Sequence, residues 1–256
     1  MTAPFVFLPG WCVGRSPVAA TVSALNGSII DLPGYGSEPL IADFDAAVDT
    51  YAARLQPGTL LGGWSLGAQL ALAIAARHPA KVGKLLLVAG TTSFVQRDGW
   101  PHAMAPAMLA DFTAGIAADV EAMLPRFVGG FNRGDARAKS ITAELLQLAD
   151  PRPSGEVLAT GLRWLRDVDL RPAAPQVACP TLLIHGAADP LMPLGAADAL
   201  AALIPGAQVA TFTECASEGA SFAAATAPIA SWVKCKLDRA RFDGAVLDRA
   251  NLVESV

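Results

Sequence analysis

Thr59-Leu60-Leu61-Gly62-Gly63-Trp64-Ser65-Leu66-Gly67-Ala68-Gln69-Leu70 is the stretch that organises the chain. It begins as a short apolar run of strand character and continues beyond Ser65 into an alanine-rich segment, Ala71-Leu72-Ala73-Ile74-Ala75, of helical character. Between the two, Ser65 is flanked at two residues either side by Gly63 and Gly67. This is the G-x-S-x-G pattern of a nucleophile elbow, in which a tight strand-to-helix turn holds a serine in a strained conformation. Small neighbours let strand and helix approach closely. The serine then stands at a helix N-terminus, where negative charge is favoured. The five-residue pattern is common by chance; the apolar strand before it and the helix after it make it specific. The plainer alternative is a glycine-rich turn with a capping serine.

Composition is that of a globular domain. The chain has 256 residues, 53% hydrophobic and 16% charged, which excludes disorder and implies a large buried core. A net charge of −4 argues against nucleic acid as a partner. The start, Met1-Thr2-Ala3-Pro4-Phe5-Val6-Phe7-Leu8-Pro9, lacks the basic n-region of a secretory signal, and no uncharged apolar run is long enough to span a membrane. A cytoplasmic location, with no membrane partner, is therefore expected. Cys12, Cys179, Cys215 and Cys235 have no metal or redox spacing and are expected as reduced thiols, Cys12 in a structural role. No metal and no cofactor are expected.

Working outward, continuous apolar runs recur at Phe5-Val6-Phe7-Leu8, Ser28-Ile29-Ile30, residues 84–90, Thr181-Leu182-Leu183-Ile184 and residues 208–212. Helical spacing separates several of them, as over residues 42–55 and in the elbow helix, which stops before Pro79. Strands without alternation, separated by helices, imply an α/β fold with a mainly parallel sheet covered on both faces. Reactive groups in such sheets gather at the carboxyl ends of the strands. Between Thr91 and Pro180 the strand rhythm stops. Helical patterns over residues 104–117, 119–127, 138–149 and 155–166, punctuated by Pro101, Pro106, Pro151 and Pro153, read as a helical cap inserted over the site. The expected organisation is a core of residues 1–95 and 176–235, a cap of residues 96–175 and a C-terminal tail of residues 236–256. The tail shows a period of five, with Ala240, Ala245 and Ala250, and reads as polar and partly helical.

A serine hydroxyl needs a base in reach, an acid that orients the base, and donors for the oxyanion. Asp189, in His185-Gly186-Ala187-Ala188-Asp189-Pro190, follows a late strand and is the candidate acid. The backbone N–H groups of Leu66, next to the nucleophile, and Trp11, after the first strand, are the candidate oxyanion donors. The base is the difficulty. In an elbow enzyme it follows the acid in the chain, and the histidines here are His78, His102 and His185, all before Asp189. His102, at the entry to the cap, is the candidate substitute base. Glu214 and Glu218 occupy the expected region, but an ordinary carboxylate is a weak base for a serine.

These residues carry a resemblance. Pro9-Gly10-Trp11, Asp31-Leu32-Pro33-Gly34-Tyr35-Gly36, Gly63-Trp64-Ser65-Leu66-Gly67, Arg97-Asp98-Gly99-Trp100-Pro101, Leu165-Arg166-Asp167-Val168-Asp169-Leu170-Arg171, Cys179-Pro180 and His185-Gly186-Ala187-Ala188-Asp189 resemble the α/β-hydrolase superfamily. Within it they look most like the carboxylesterases that cut the methyl ester from a pimeloyl chain on acyl carrier protein in biotin synthesis. The resemblance covers most of residues 4–233. It implies an α/β-hydrolase fold with an inserted helical cap, Ser65 as nucleophile, Asp189 as acid, and Trp11 and Leu66 as oxyanion donors. It also implies acyl carrier protein carrying an acyl ester as partner, with small esters as further substrates. The carrier would dock through cap cations, for which Arg126, Arg133, Arg137 and Lys139, interrupted by Asp135, are the candidates. A solvated face of mixed charge is the alternative. The chain departs from the family at the histidine. Aligned on Phe222 that position is Gly219, and aligned from Phe212 it is Ser217. Two functions follow: a serine carboxylesterase with a displaced or substitute base, or an impaired homologue that binds an acyl chain or carrier protein.

Overall fold

The first apolar run becomes β1 (Phe5–Leu8), and α1 (Ser16–Ala24) and a two-residue β2 (Ser28–Ile29) follow it. Next come α2 (Phe44–Arg54), β3 (Thr59–Trp64), α3 (Leu66–Arg77) and β4 (Val82–Val88). Four helices then intervene, α4 (Pro106–Ala118), α5 (Val120–Phe131), α6 (Ala138–Leu148) and α7 (Gly155–Asp167). The chain returns through β5 (Thr181–Gly186), α8 (Leu194–Leu203) and β6 (Gln208–Phe212). The computed structural model describes residues 3–135, 137–148 and 152–212. The residues read as a tail, 236–256, and Glu214, Ser217, Glu218 and Gly219 lie outside the described residues.

The strands form one six-stranded sheet in the order β2-β1-β3-β4-β5-β6, and every pairing is parallel. The chain leaves β1 toward one edge for β2 and returns on its other side for β3. The order therefore reverses between β1 and β3, and a crevice opens at the carboxyl ends of that pair. Leu8 pairs with Gly63 in this register, which sets the loop after β1 beside the turn after β3. The same register joins Gly63 to Leu87 of β4 and so places the elbow centrally in the sheet.

α3 is buried from Leu66 through Ala75, because alanine and leucine on every face suit a helix enclosed by sheet and neighbouring helices. Elsewhere short polar side chains cap helix starts. Asp43 accepts from Ala46 N at 2.7 Å ahead of α2, and Asp119 accepts from Ala122 N at 3.0 Å ahead of α5.

Some elements depart from the sequence reading. β4 runs over Val82–Val88 rather than 84–90, since Ala89 takes a left-handed φ of 46° that ends the strand. α5 continues through Pro125, Gly129 and Gly130 to Phe131, because Leu124 and Val128 are buried along it and outweigh weak glycine propensity. α1 was not signalled: only Val22 is buried along it, so it lacks an apolar stripe.

The helices between β4 and β5 are tied down at both ends of the insertion. Arg97 Nη2 donates to the carbonyl of Arg166 at 2.7 Å, and Arg171 Nη1 donates to the carbonyl of Asp98 at 2.5 Å. Asp169 pairs with Arg171 at 2.7 Å, and that hydrogen bond holds its carboxyl below the usual carboxylate range.

Close approach of α3 to β1 is the tightest demand of the fold. A Cβ on Gly67 would run into the carbonyls of Leu8 and Pro9, and one on Gly63 into the Gly67 carbonyl. Gly67→Ala is expected to lower stability by about 2–3 kcal/mol, since main chain on both sides cannot give way. Urea denaturation checks this; a midpoint equal to that of the parent chain would contradict it.

Candidate active site

Ser65 sits between β3 and α3 with φ 55° and ψ −115°, a conformation of order 1–3 kcal/mol in cost for a residue with a Cβ. Its main chain is fixed from both sides. Ser65 N donates to the Val88 carbonyl at 3.0 Å, and its own carbonyl accepts from Ala68 N and Gln69 N at 2.9 and 3.1 Å. The side chain makes no capping hydrogen bond to the helix, so the hydroxyl is not consumed by the turn. The Leu66 N–H, at the first helical position, has no intrahelical acceptor by construction.

Across the crevice, the loop after β1 is held by Cys12 and Tyr35. Cys12 has φ 65°, and its N–H donates to Tyr35 Oη at 2.9 Å within the core. Trp11 is placed by its ring. Its Nε1 donates to the Leu158 carbonyl of α7 at 3.1 Å, and the indole meets Phe112 and Phe127 edge-on at 5.8 and 5.2 Å. Among the described residues the Trp11 N–H has no main-chain acceptor. The Cys12 thiol is buried, and burial pushes its pKa far above the ordinary value, which leaves an inert thiol.

Asp189 lies in the turn after β5. Its Oδ1 accepts from Leu191 N and Met192 N, both at 2.9 Å, and so builds the turn, while Oδ2 has no partner among the described residues. Beneath it, the buried His185 ring bonds the Met192 carbonyl at 2.7 Å. A carbonyl only accepts, so Nε2 carries the proton and His185 braces the Asp189 loop.

One cleft brings Gly10, Trp11, Ser65, Gln69, Thr91 and Asp189 together, walled by Trp64, Phe94, Phe127, Phe131, Leu165, Leu191 and Met192. Polar groups thus converge at the base of an apolar pocket, the arrangement a small apolar substrate needs. Ser65, Trp11 and Asp189 share this cleft, and Leu66 begins the helix beneath it. His102 is not among the lining residues. It is exposed, and its ring stands against Gly195 at the start of α8. His78 is at the far end of α3, bonded to Asp49 at 2.8 Å. Among the described lining residues Asp189 is therefore the one titratable group. Arg126, Arg133, Arg137 and Lys139 are all exposed, and no carboxylate side chain pairs with them among the described residues.

Two polar groups at or beside the cleft were not singled out from sequence. Tyr35 lies in a turn-rich loop whose partner is distant in the chain. Gln69 did leave a signal: it is the lone polar side chain in the first eleven residues of α3.

A model of the Alpha/beta hydrolase family matches residues 5–228. The chain is 37% identical over 224 residues to a pimeloyl-[acyl-carrier protein] methyl ester esterase of Aromatoleum aromaticum, covering 82% of this chain and 89% of that protein. It is 34% identical to the like-named esterase of Nitrosomonas europaea, covering 82% and 86%. Among solved structures, the esterase EaEST of Exiguobacterium antarcticum superposes with a TM-score of 0.74 at 26% identity, covering 82% of this chain and 83% of that one.

Tyr35→Phe is expected to strand the buried Cys12 N–H and cost about 1–3 kcal/mol in urea denaturation. The same change should admit iodoacetamide to Cys12 at pH 8, where mass spectrometry should find the parent thiol unmodified. Modification of Cys12 in the parent chain would contradict this account of the loop.

Proposed function

This chain belongs to the alpha/beta hydrolase family, and we propose that it is a serine carboxylesterase similar to the enzymes that hydrolyse pimeloyl-acyl-carrier-protein methyl ester. One observation carries the chemistry: Ser65 is held at a strained turn in the same cleft as Trp11 and Asp189. The relatives' names support the substrate class.

In this reading the ester carbonyl lies over Ser65, its acyl chain along the apolar wall. Ser65 Oγ attacks the carbonyl carbon, and the developing oxyanion takes hydrogen bonds from the Leu66 and Trp11 N–H groups. Collapse expels the alcohol and leaves an acyl-serine, which water then cleaves. The proton from Oγ has Asp189 as its one titratable acceptor among the described lining groups. A carboxylate without an intervening imidazole is a poor relay for an alcohol proton, so turnover is expected to be slow beside enzymes with an imidazole between acid and serine. Residues 96–175 serve as the cap in this proposal, with 1–95 and 176–235 as the core.

Hydrolysis of p-nitrophenyl butyrate tests the assignment. Ser65→Ala should lower the rate about a hundredfold or more. Equal rates from parent and variant would remove Ser65 from the chemistry.

The exposed Arg126, Arg133, Arg137 and Lys139 fit an acidic carrier protein, by the long-range attraction that steers association. The double change Arg133→Glu with Arg137→Glu is expected to lower kcat/KM about tenfold for a carrier-linked methyl ester at low salt. It should leave p-nitrophenyl butyrate untouched, and added salt should narrow the difference. An equal loss on both substrates would refute docking.

A further inference from the structure

Gln69 is 1% exposed, and among the described residues neither its Nε2 nor its Oε1 has a hydrogen-bond partner. It lines the cleft together with Ser65 and Asp189. It follows Ser65 by one helical turn, and helical side chains lean back toward the N-terminus, which aims the carboxamide toward the elbow. Every other side chain of α3 before Arg77 is apolar or absent. A bare amide in such surroundings costs stability, and buried polar groups without a protein partner are satisfied by water or ligand.

Building on the esterase reading, we propose that Gln69 is a hydroxyl-binding residue of the cleft, its carboxamide holding a water or small alcohol, R–OH, by both ends. A carboxamide offers a donor at Nε2 and an acceptor at Oε1. A carbonyl would use the donor and leave Oε1 bare. An anion would do the same and also face the Asp189 carboxylate in the same cleft. A hydroxyl satisfies both ends. Ester hydrolysis exchanges two such molecules: the alcohol leaves after Ser65 is acylated, and water enters. In the second half the incoming oxygen bonds the acyl carbon, the bond from that carbon to Ser65 Oγ breaks, and the hydroxyl proton ends on Oγ. Gln69 orients the incoming molecule and is a positioning residue; it exchanges no proton.

Gln69→Leu separates this from a structural role by two readouts. Removing an unpaired amide should raise the melting temperature, by about 2 °C. In buffer containing methanol, p-nitrophenyl butyrate partitions between butyrate and methyl butyrate. The variant should hydrolyse the acyl-serine about tenfold more slowly and shift the product ratio at least about threefold toward methyl butyrate, because methanol retains an apolar contact with leucine that water lacks. That shift identifies water as the molecule held; an equal shift toward butyrate identifies the alcohol, and either supports the assignment. A lower melting temperature in both Gln69→Leu and the length-matched Gln69→Met, or a product ratio equal to the parent's, overturns it. Melting requires no turnover, so if the parent shows no Ser65-dependent hydrolysis the esterase reading falls and the melting result alone decides the Gln69 assignment.

Discussion

The start of α3 lies against the carbonyls of Leu8 and Pro9, with no room for a methyl group at Gly67. That contact sets the rest of the site. It brings the first turn of the helix beside the loop after β1. It also compels the turn at Ser65: a helix starting so close to the sheet cannot be reached from β3 through ordinary backbone. The strain is resisted by main-chain bonds to Val88 on one side and from Ala68 and Gln69 on the other. A left-handed serine is stable here because its neighbours leave no alternative path.

Strand, turn and helix at the elbow were legible in the sequence because each signal is local. Gly63, Ser65 and Gly67 sit within five residues, and the apolar runs on either side declare their periods without reference to anything distant. Asp189 was legible for a similar reason, as a polar residue directly after an apolar strand. The parallel sheet followed from strands that do not alternate. What sequence could not show depends on partners far apart in the chain. Tyr35 reaches Cys12 across 23 residues, and Trp11 reaches Leu158 across 147. α1 was hidden because it rests on the fold through little more than Val22. His102 was a candidate base from its place at the entry to the cap, but the fold sets its ring against Gly195.

Polar chemistry in this cleft works against an apolar background. Trp11, Phe112, Phe127 and Phe131 form a run of edge-on and stacked rings that excludes water from one wall. Such a wall strengthens each hydrogen bond made inside it and raises the cost of each one left unmade. Asp189 responds by spending Oδ1 on its own turn. Gln69 stands out because the same background leaves its amide without a partner among the described residues.

Trp11 belongs to two layers at once. Its main chain closes the crevice above the sheet, while its indole is bonded to Leu158 and packed so tightly on α7 that a Cβ at Gly161 would strike the ring. A shift of α7 would carry the indole with it and move the loop after β1. The helices above this cleft are therefore joined to the sheet layer at more than one point, through Trp11 and also through Trp164, whose Nε1 donates to the Ala42 carbonyl at 2.8 Å and whose ring meets Phe44 edge-on. Sheet layer and helical layer are thus one packed unit, and a shift of α7 is felt at the loop after β1.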